Sequence, residues 1–471
     1  RPGLKAQALR ARPARRYAAG RMRKRTAARA DPGHYPAPHA LIDLWEQHGG
    51  DPDAMRAAEI PSFAGLAVTD TARELIRVFF LREKLKGFGK GEAGVAHVHV
   101  VGAGEMGGDI AGWCALNGLC ATVADLDPAA VAVAVGRAEA LFADRIRDPR
   151  ERRAARDRLI PDFAGDGLRH ADLVIEAVAE KAEPKRKLYA AIEGAMKPDA
   201  PIATNTSSIA LSDLREGLER PGRVVGLHFF NPVKRMQLVE VVGDDACEEA
   251  ALARARAFCG RIGKLPAPVA SAPGFLVNRI LTSGLLEALA LLDEGAAPET
   301  VDRAAEGFGM AMGPVAVADQ VGLDIALDVA DSLRAMLGGA LPEPPRWLRE
   351  KVEAGKLGRK TGEGLYRWKD GEPDKSEKAP EPDDAMADRL ILPMVNAVAA
   401  CLRDGVTDDP EVVDAAMIFG AGFAPFRGGP CRYAAVRGIC EVRAALERLR
   451  QAHGDRFAPD DGLDALAKGA G

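Results

Sequence analysis

The sequence predicts a doubly wound α/β sheet, led by a peripheral helical segment and followed by two all-α domains. Three observations carry this. From Val95 onward, short apolar runs alternate with stretches of helical periodicity. The first run ends in Val98-His99-Val100-Val101 and leads directly into Gly102-Ala103-Gly104-Glu105-Met106-Gly107, a glycine loop between a strand and a helix. After Ala270 the strand-like runs stop, and two helical stretches resemble each other at an offset of about 110 residues.

Composition narrows the function classes. The chain has 471 residues, enough for roughly three domains at ~150 residues each. With 47% hydrophobic and 28% charged residues it has an ordinary globular profile and can bury a core without disulfides or a structural metal. No apolar run approaches the ~20 residues of a membrane span, so none is expected. Seven cysteines with no CxxC pair argue against a disulfide framework and a zinc site, and favour a reducing compartment. The net charge of −4 hides an asymmetry: residues 1–30 carry eleven Lys/Arg and no acid, leaving the remainder at −15. So acidic a body is a poor nucleic-acid binder. The basic head begins with Arg1 rather than Met, and is read as the cut end of a longer protein rather than a transit peptide.

In order along the chain, residues 1–94 are expected to be helical, with apolar residues at helical spacing in Ala40–Trp45 and Ala72–Leu85 and a linker at Gly87–Gly94. Residues 95–271 form the sheet domain, a Rossmann-type dinucleotide-binding unit. Strands are expected at Val95–Val101, Ala121–Ala124, Leu173–Val178, Pro201–Thr204, Val224–Phe230 and Met236–Val242. The last two are close in sequence and suggest an antiparallel hairpin at one edge. Residues 272–383 form the first helical domain and residues 384–471 the second, a degenerate repeat. Asn278-Arg279-Ile280-Leu281 and Asp293-Glu294-Gly295 match Asp388-Arg389-Leu390-Ile391 and Arg403-Asp404-Gly405. The segment Lys369–Asp384 has the Lys/Glu/Asp/Pro composition of a solvated linker.

In the glycine loop, Gly102 permits a tight turn, Gly104 lets a pyrophosphate approach the backbone, and Gly107 lets the helix pack against the sheet. The helix N-terminus offers N–H groups and positive dipole to phosphates. Asp125 ends the following strand, 23 residues after Gly102. A carboxylate there would accept the ribose hydroxyls and repel a 2′-phosphate, favouring NAD over NADP. Asp127 competes for this role, but it lies past the strand and before Pro128.

The second constellation is the hairpin. If the chain reverses near Lys234, His228 and Glu240 face each other across it. Glu240 stands in the apolar run Leu238–Val242, where an unpaired carboxylate is costly. A histidine partner resolves this, and the carboxylate would fix the imidazole tautomer, leaving the other nitrogen to accept a proton. Such a pair suits oxidation of an alcohol, and it also suits a structural tie between two strands. Thr204-Asn205-Thr206-Ser207-Ser208 is a polar strand end where ligands sit, or a helix N-cap. Asn278, taken alone, reads as a surface residue. Trp113, Phe229 and Phe230 read as core rather than as acyl-binding residues. His97 and His99 share one strand face without the further ligands a metal site requires, so no metal is expected.

These motifs together resemble the L-3-hydroxyacyl-CoA dehydrogenases: Gly102–Gly107 with Met106, Asn205–Ser208, His228-Phe229-Phe230-Asn231-Pro232, Leu238-Val239-Glu240-Val241, Gly274–Arg279 and Lys360–Tyr366. Tyr35–Pro38 and Ala424–Gly429 resemble the multifunctional α-subunits of fatty-acid β-oxidation complexes, in which an enoyl-CoA hydratase (crotonase) domain precedes this part. The resemblance implies NAD-dependent oxidation of (3S)-3-hydroxyacyl-CoA to 3-oxoacyl-CoA. It implies His228 as general base oriented by Glu240, with Ser207 and Asn278 at the substrate. Gly102, Gly104, Met106, Gly107, Asp125, Glu180, Lys185, Asn205, Asn231 and Lys360 fall on the cofactor side. It further implies an acyl-CoA substrate, a thiolase β-subunit as partner, a bacterial cytoplasmic setting, and residues 1 to ~40 as the tail of a crotonase domain. Two readings compete: dehydrogenases of small hydroxy acids that use a lysine base, and a catalytically silent scaffold that binds CoA esters or docks a thiolase.

Overall fold

The computed structural model describes residues 9, 11–337, 341–376 and 378–470; the first eight residues of the basic head lie outside them. The chain divides into two units, Arg1–Phe80 with Ala424–Gly428, and Leu81–Phe423 with Gly429–Gly471. The first unit contains helices α1 (Arg12–Ala27), α2 (Pro36–His48), α3 (Pro52–Ala67) and most of α4 (Asp70–Phe88). Asp51 caps α3 by accepting the Asp53 and Ala54 N–H groups, and Pro52 occupies the first helical position. Within this unit Phe426 stacks on His34 at 4.3 Å and meets Tyr35 edge-on at 5.6 Å. Those contacts join the two motifs that flank the sheet domain in sequence.

The second unit is built on an eight-stranded sheet of order β3-β2-β1-β4-β5-β6-β7-β8. The strands are β1 His97–Val101, β2 Cys120–Ala124, β3 Leu159–Pro161, β4 Leu173–Glu176, β5 Ile202–Thr204, β6 Val224–Phe229, β7 Leu238–Gly243 and β8 Leu265–Ala270. All neighbours are parallel except β6 and β7. Helices α5 (Glu105–Leu116), α6 (Pro128–Arg145), α7 (Pro149–Arg158), α8 (Ala182–Glu193), the single turn α9 (Leu211–Leu214) and α10 (Glu249–Arg261) connect them. Asp-Pro pairs start α6 and α7: Asp127 accepts the Ala129 N–H and Asp148 the Arg150 N–H. One apolar layer joins α5, α6 and α10 to the sheet, and a second joins α8. The strand order reverses between β2-β1 and β4, which opens a crevice at the strand C-termini beside β1.

The sheet corrects three expectations. The β6–β7 hairpin is antiparallel but not at an edge, because β8 pairs with β7 in parallel. Pro266 and Pro268 hide β8 from a propensity reading. They lack a donor, and their nitrogens point away from β7, an arrangement that an edge strand tolerates. The short strand β3 is the second edge and was not anticipated.

The helical part comprises α11 (Val277–Asp293), α12 (Pro298–Phe308), α13 (Pro314–Val321), α14 (Leu323–Met336), α15 (Arg346–Glu353), α16 (Asp384–Arg403), α17 (Pro410–Ala421), α18 (Pro430–Arg437) and α19 (Ile439–His453). Strands do not end at Ala270: Trp368–Lys369 and Glu372–Pro373 form a small hairpin. Nor is Lys369–Asp384 a free linker, since Thr300 Oγ1 donates to Pro380 O and Ser376 N–H to Glu299. The repeat is visible in its polar contacts. Asp302 in α12 accepts the Val315 N–H at the start of α13, and Asp414 in α17 accepts the Cys431 N–H at the start of α18. Arg279 pairs with Asp404 while Arg389 pairs with Glu294, a reciprocal exchange between the repeats. One helix does meet the length and composition of a membrane span: Ala385–Arg403, half of it buried in the bundle. Its apolar residues pack on α11, with Gly284 facing Met394.

Candidate active site

The register of β6 and β7 sets His228 opposite Glu240. His228 Nδ1 lies 2.6 Å from Glu240 Oε2. Glu240 is fully buried, and its other oxygen accepts the Leu276 and Val277 N–H groups at 3.0 and 2.9 Å. A buried carboxylate is tolerated because both oxygens have donors and the N-terminus of α11 supplies positive potential. The carboxylate thus holds the proton on Nδ1, and among the described residues Nε2 has no partner. Phe230 and Phe275 flank the imidazole at 4.6 and 5.7 Å between ring centroids. Phe229 and Trp113 belong to the sheet core as expected, whereas Phe230 lies at the histidine, because it is the first residue beyond β6.

The strand end Thr204–Ser208 gathers around Glu180. One oxygen of Glu180 accepts the Thr206 hydroxyl at 2.6 Å and the Ser207 and Ser208 N–H groups at 2.8 and 3.1 Å; the Ser207 hydroxyl lies 3.2 Å away. Burial pushes the Glu180 carboxyl up, but the Lys185 ammonium and these hydrogen bonds outweigh it and hold the group below the usual carboxylate range. Lys185, expected at the cofactor, is 1% exposed, with its ammonium 2.7 Å from Glu176 and 3.4 Å from Glu180. Asn205 Oδ1 accepts the Phe229 N–H at 2.9 Å, which ties this loop to β6 beside His228. Asn278 lies in the first turn of α11, half-buried, and its side chain makes no hydrogen bond among the described residues.

The glycine loop fits a dinucleotide. Gly102 has φ +100°, and a Cβ there would lie 2.5 Å from Ala177 O. A Cβ on Gly107 would lie 1.9 Å from Gly102 O, whereas one on Gly104 would meet nothing within 4 Å. The loop is therefore closed by backbone behind and open at Gly104. No side chain caps α5 at Gly104, so its first N–H groups are left for an anion. Asp125 Oδ2 accepts the Ala103 N–H at 2.6 Å and Oδ1 the Asp127 N–H at 3.0 Å, while Asp127 is occupied as the cap of α6. Asp109, in the second turn of α5, is paired with Arg137 at 2.9 Å; Arg137 also donates to Gly104 O. Met106 packs its side chain against the sheet core.

Lys360, expected on the cofactor side of the cleft, binds both oxygens of Asp324 with its ammonium at 2.6 Å. The acid lies one residue into α14, where sequence spacing gives no sign of it. Three contributors were missed. Glu176, fully buried, accepts from Lys185, Tyr189, Thr204 and the Val178 N–H. Its signal was available, a carboxylate ending the apolar run Leu173–Glu176, as with Glu240. Glu105 accepts from Asn231 Nδ2 at 3.0 Å and joins the glycine loop to the hairpin turn. Lys264 donates to Val233 O and Met236 O and lies over the Trp113 ring at 4.2 Å, pinning that turn from below; burial lowers its ammonium to about 8. His97 and His99 share Thr122 Oγ1 at 2.9 Å each, and no metal cluster exists among the described residues.

Comparison with known proteins places these features in context. The family described as 3-hydroxyacyl-CoA dehydrogenase, NAD binding domain, matches residues 97–272, and the 3-hydroxyacyl-CoA dehydrogenase C-terminal domain matches residues 274–368. The chain is 35% identical over 470 residues to the fatty acid oxidation complex subunit alpha of Psychrobacter arcticus, covering 94% of this chain and 65% of that protein. The chain thus spans about two-thirds of the length of such relatives. Among solved structures, (S)-3-hydroxybutyryl-CoA dehydrogenase from Ralstonia eutropha is 37% identical with TM-score 0.55, covering 58% of this chain and 99% of that one. The 3-hydroxybutyryl-CoA dehydrogenase of Escherichia coli K12 is 26% identical with TM-score 0.69, covering 79% and 98%.

Proposed function

Because the chain belongs to the 3-hydroxyacyl-CoA dehydrogenase family, we propose that it oxidises (3S)-3-hydroxyacyl-CoA to 3-oxoacyl-CoA with NAD, as a fatty-acid β-oxidation enzyme. The observation that carries this reading is the buried 2.6 Å contact between His228 and Glu240. With the proton fixed on Nδ1, Nε2 accepts the proton of the substrate hydroxyl, and Glu240 stabilises the imidazolium that forms. Ser207 and Asn278 bind the hydroxyl and thioester region. The Gly102–Gly107 loop and the N-terminus of α5 hold a pyrophosphate, with Gly104 as the open approach. Asp125 takes the ribose hydroxyls, and its charge disfavours a 2′-phosphate. Lys185 acts through Glu180, by fixing the carboxylate that shapes the Thr206–Ser208 turn. Asn205 holds that turn to β6, and Asn231 holds the hairpin to Glu105. When bound, NAD supplies the hydride acceptor.

The relatives' names favour a complex with a second subunit. A thiolase β-subunit fits the chemistry, because 3-oxoacyl-CoA is what thiolytic cleavage consumes. A bacterial cytoplasmic setting goes with that reading, and an enoyl-CoA hydratase activity belongs to a longer parent protein. The test is an assay with acetoacetyl-CoA and NADH. The wild-type chain consumes NADH, and His228→Gln does not while still binding NADH. Absence of turnover in the wild-type chain would turn the reading to a silent CoA-ester-binding scaffold. Turnover retained in His228→Gln would move the base to another residue.

A further inference from the structure

The second helical repeat holds the junction where Glu240 meets α11. Leu276 and Val277 donate their N–H groups to Glu240, Asn278 follows, and the next residue, Arg279, is 6% exposed. Its guanidinium donates to Asp404, which directly follows α16. Two more contacts reach the same junction. Ala270, the last residue of β8, donates its N–H to Val406 O at 2.8 Å. Gly420 in α17 packs so closely that a Cβ would lie 2.5 Å from Leu238 Cδ2 and 3.5 Å from Val277 Cγ2. Between these grips Phe275 has φ +50°, a left-handed conformation that a non-glycine residue keeps only when its surroundings impose it.

We propose that the second repeat is a positioning element of the active site, acting through Asp404 on Arg279 to fix Asn278 and the N–H groups that hold Glu240. The inference rests on the reading of His228 and Glu240 as the catalytic pair. The fold supplies its own control. Arg389 and Glu294 make the corresponding pair at 2.5 Å, with Arg389 also 6% exposed and held a second time by the buried Glu287. Glu294 lies sixteen residues beyond Asn278, about 24 Å along α11 at a 1.5 Å rise per residue. Each acid is also held below its ordinary range. Burial raises the Asp404 carboxyl, but Arg279 and Arg403 lower it further; the Arg389 hydrogen bond lowers Glu294. A purely structural role would lower the thermal midpoint and spare kcat, and a positioning role would lower kcat as well.

The experiment compares full-length Asp404→Asn and Glu294→Gln by thermal midpoint, kcat, KM for acetoacetyl-CoA and NADH affinity. Both should lose a few degrees of thermal midpoint. Asp404→Asn should lose about tenfold in kcat, since sub-ångström displacement of positioning groups costs that order, with NADH affinity within about twofold. Glu294→Gln should keep kcat within about twofold. Asp404→Glu should restore most of the loss. Equal kcat in the two variants, high or low, overturns the inference. If Asp404→Asn does not fold, Arg279→Lys decides: it should show the same kcat deficit, and unchanged kcat overturns the proposal. His228→Gln, run in parallel, separates the two readings. If it is inactive while Asp404→Asn matches Glu294→Gln, only the positioning role falls; if it turns over, both fall.

Discussion

Replacing Glu240 by Gln tests whether the carboxylate selects the imidazole tautomer. The substitution keeps size and removes one acceptor. In the native site one oxygen takes two helix N–H groups, from Leu276 and Val277, and the other takes His228 Nδ1–H. A glutamine has a single acceptor oxygen. Leaving two buried N–H groups of α11 unsatisfied would cost about 1–3 kcal/mol each, so the oxygen stays with the helix. The amide NH2 then faces Nδ1, which must become an acceptor, and the proton moves to Nε2. The base is thereby inverted. A carboxylate-to-amide change that enforces the wrong tautomer costs about 10⁴ in kcat elsewhere, and a loss of ~10³–10⁴ is expected here. Stability should fall by only ~1–3 kcal/mol, from the lost charge-assisted bonds. The assay is NADH consumption with acetoacetyl-CoA, alongside NADH binding, which should be unchanged. A Glu240→Gln enzyme within tenfold of wild-type kcat would refute the tautomer argument.

The glycine loop makes two opposed forecasts. Gly104→Ala places a methyl in open space, so the thermal midpoint should not move, while NAD affinity should drop about tenfold by obstruction of the phosphate approach. Gly107→Ala drives a methyl to 1.9 Å from Gly102 O, and calorimetry should find it strongly destabilised even without cofactor. His99 gives a pH forecast. Burial lowers its imidazole to about 4 from 6.5, the nearby His97 lowering it further and Asp162 opposing. Between those values the unfolded chain binds a proton that the folded chain refuses. Stability present above pH 6.5 is thus lost as pH falls towards 4, by ~3 kcal/mol. Urea unfolding at the two ends should show His99→Gln losing less than wild type by about that amount; equal losses would refute the assignment.

Much of the site was legible because its signals are local. Gly102, Gly104 and Gly107 are spaced for one turn and one helix start, and Asp125 ends the next strand. Glu240 was found because a charge in an apolar strand demands a partner, and the hairpin count supplied His228. Glu176 emitted the same signal and was passed over, for its partners Lys185, Tyr189 and Thr204 come from separate elements. Strand β8 was obscured by two prolines that are admissible only at an edge, and edge status is a property of the whole sheet.

By itself the sequence determined the alternation of strands and helices, the phosphate-type loop, the histidine–glutamate register and the helical duplication. Each follows from a period or spacing within a few tens of residues. Tertiary structure alone decided that β8 covers the hairpin, that Lys360 is taken up by Asp324, and that α11 directs its first N–H groups at Glu240 while Arg279 reaches across to Asp404. Those contacts join residues far apart in the chain. Their energy depends on which groups are desolvated together, which no local pattern encodes.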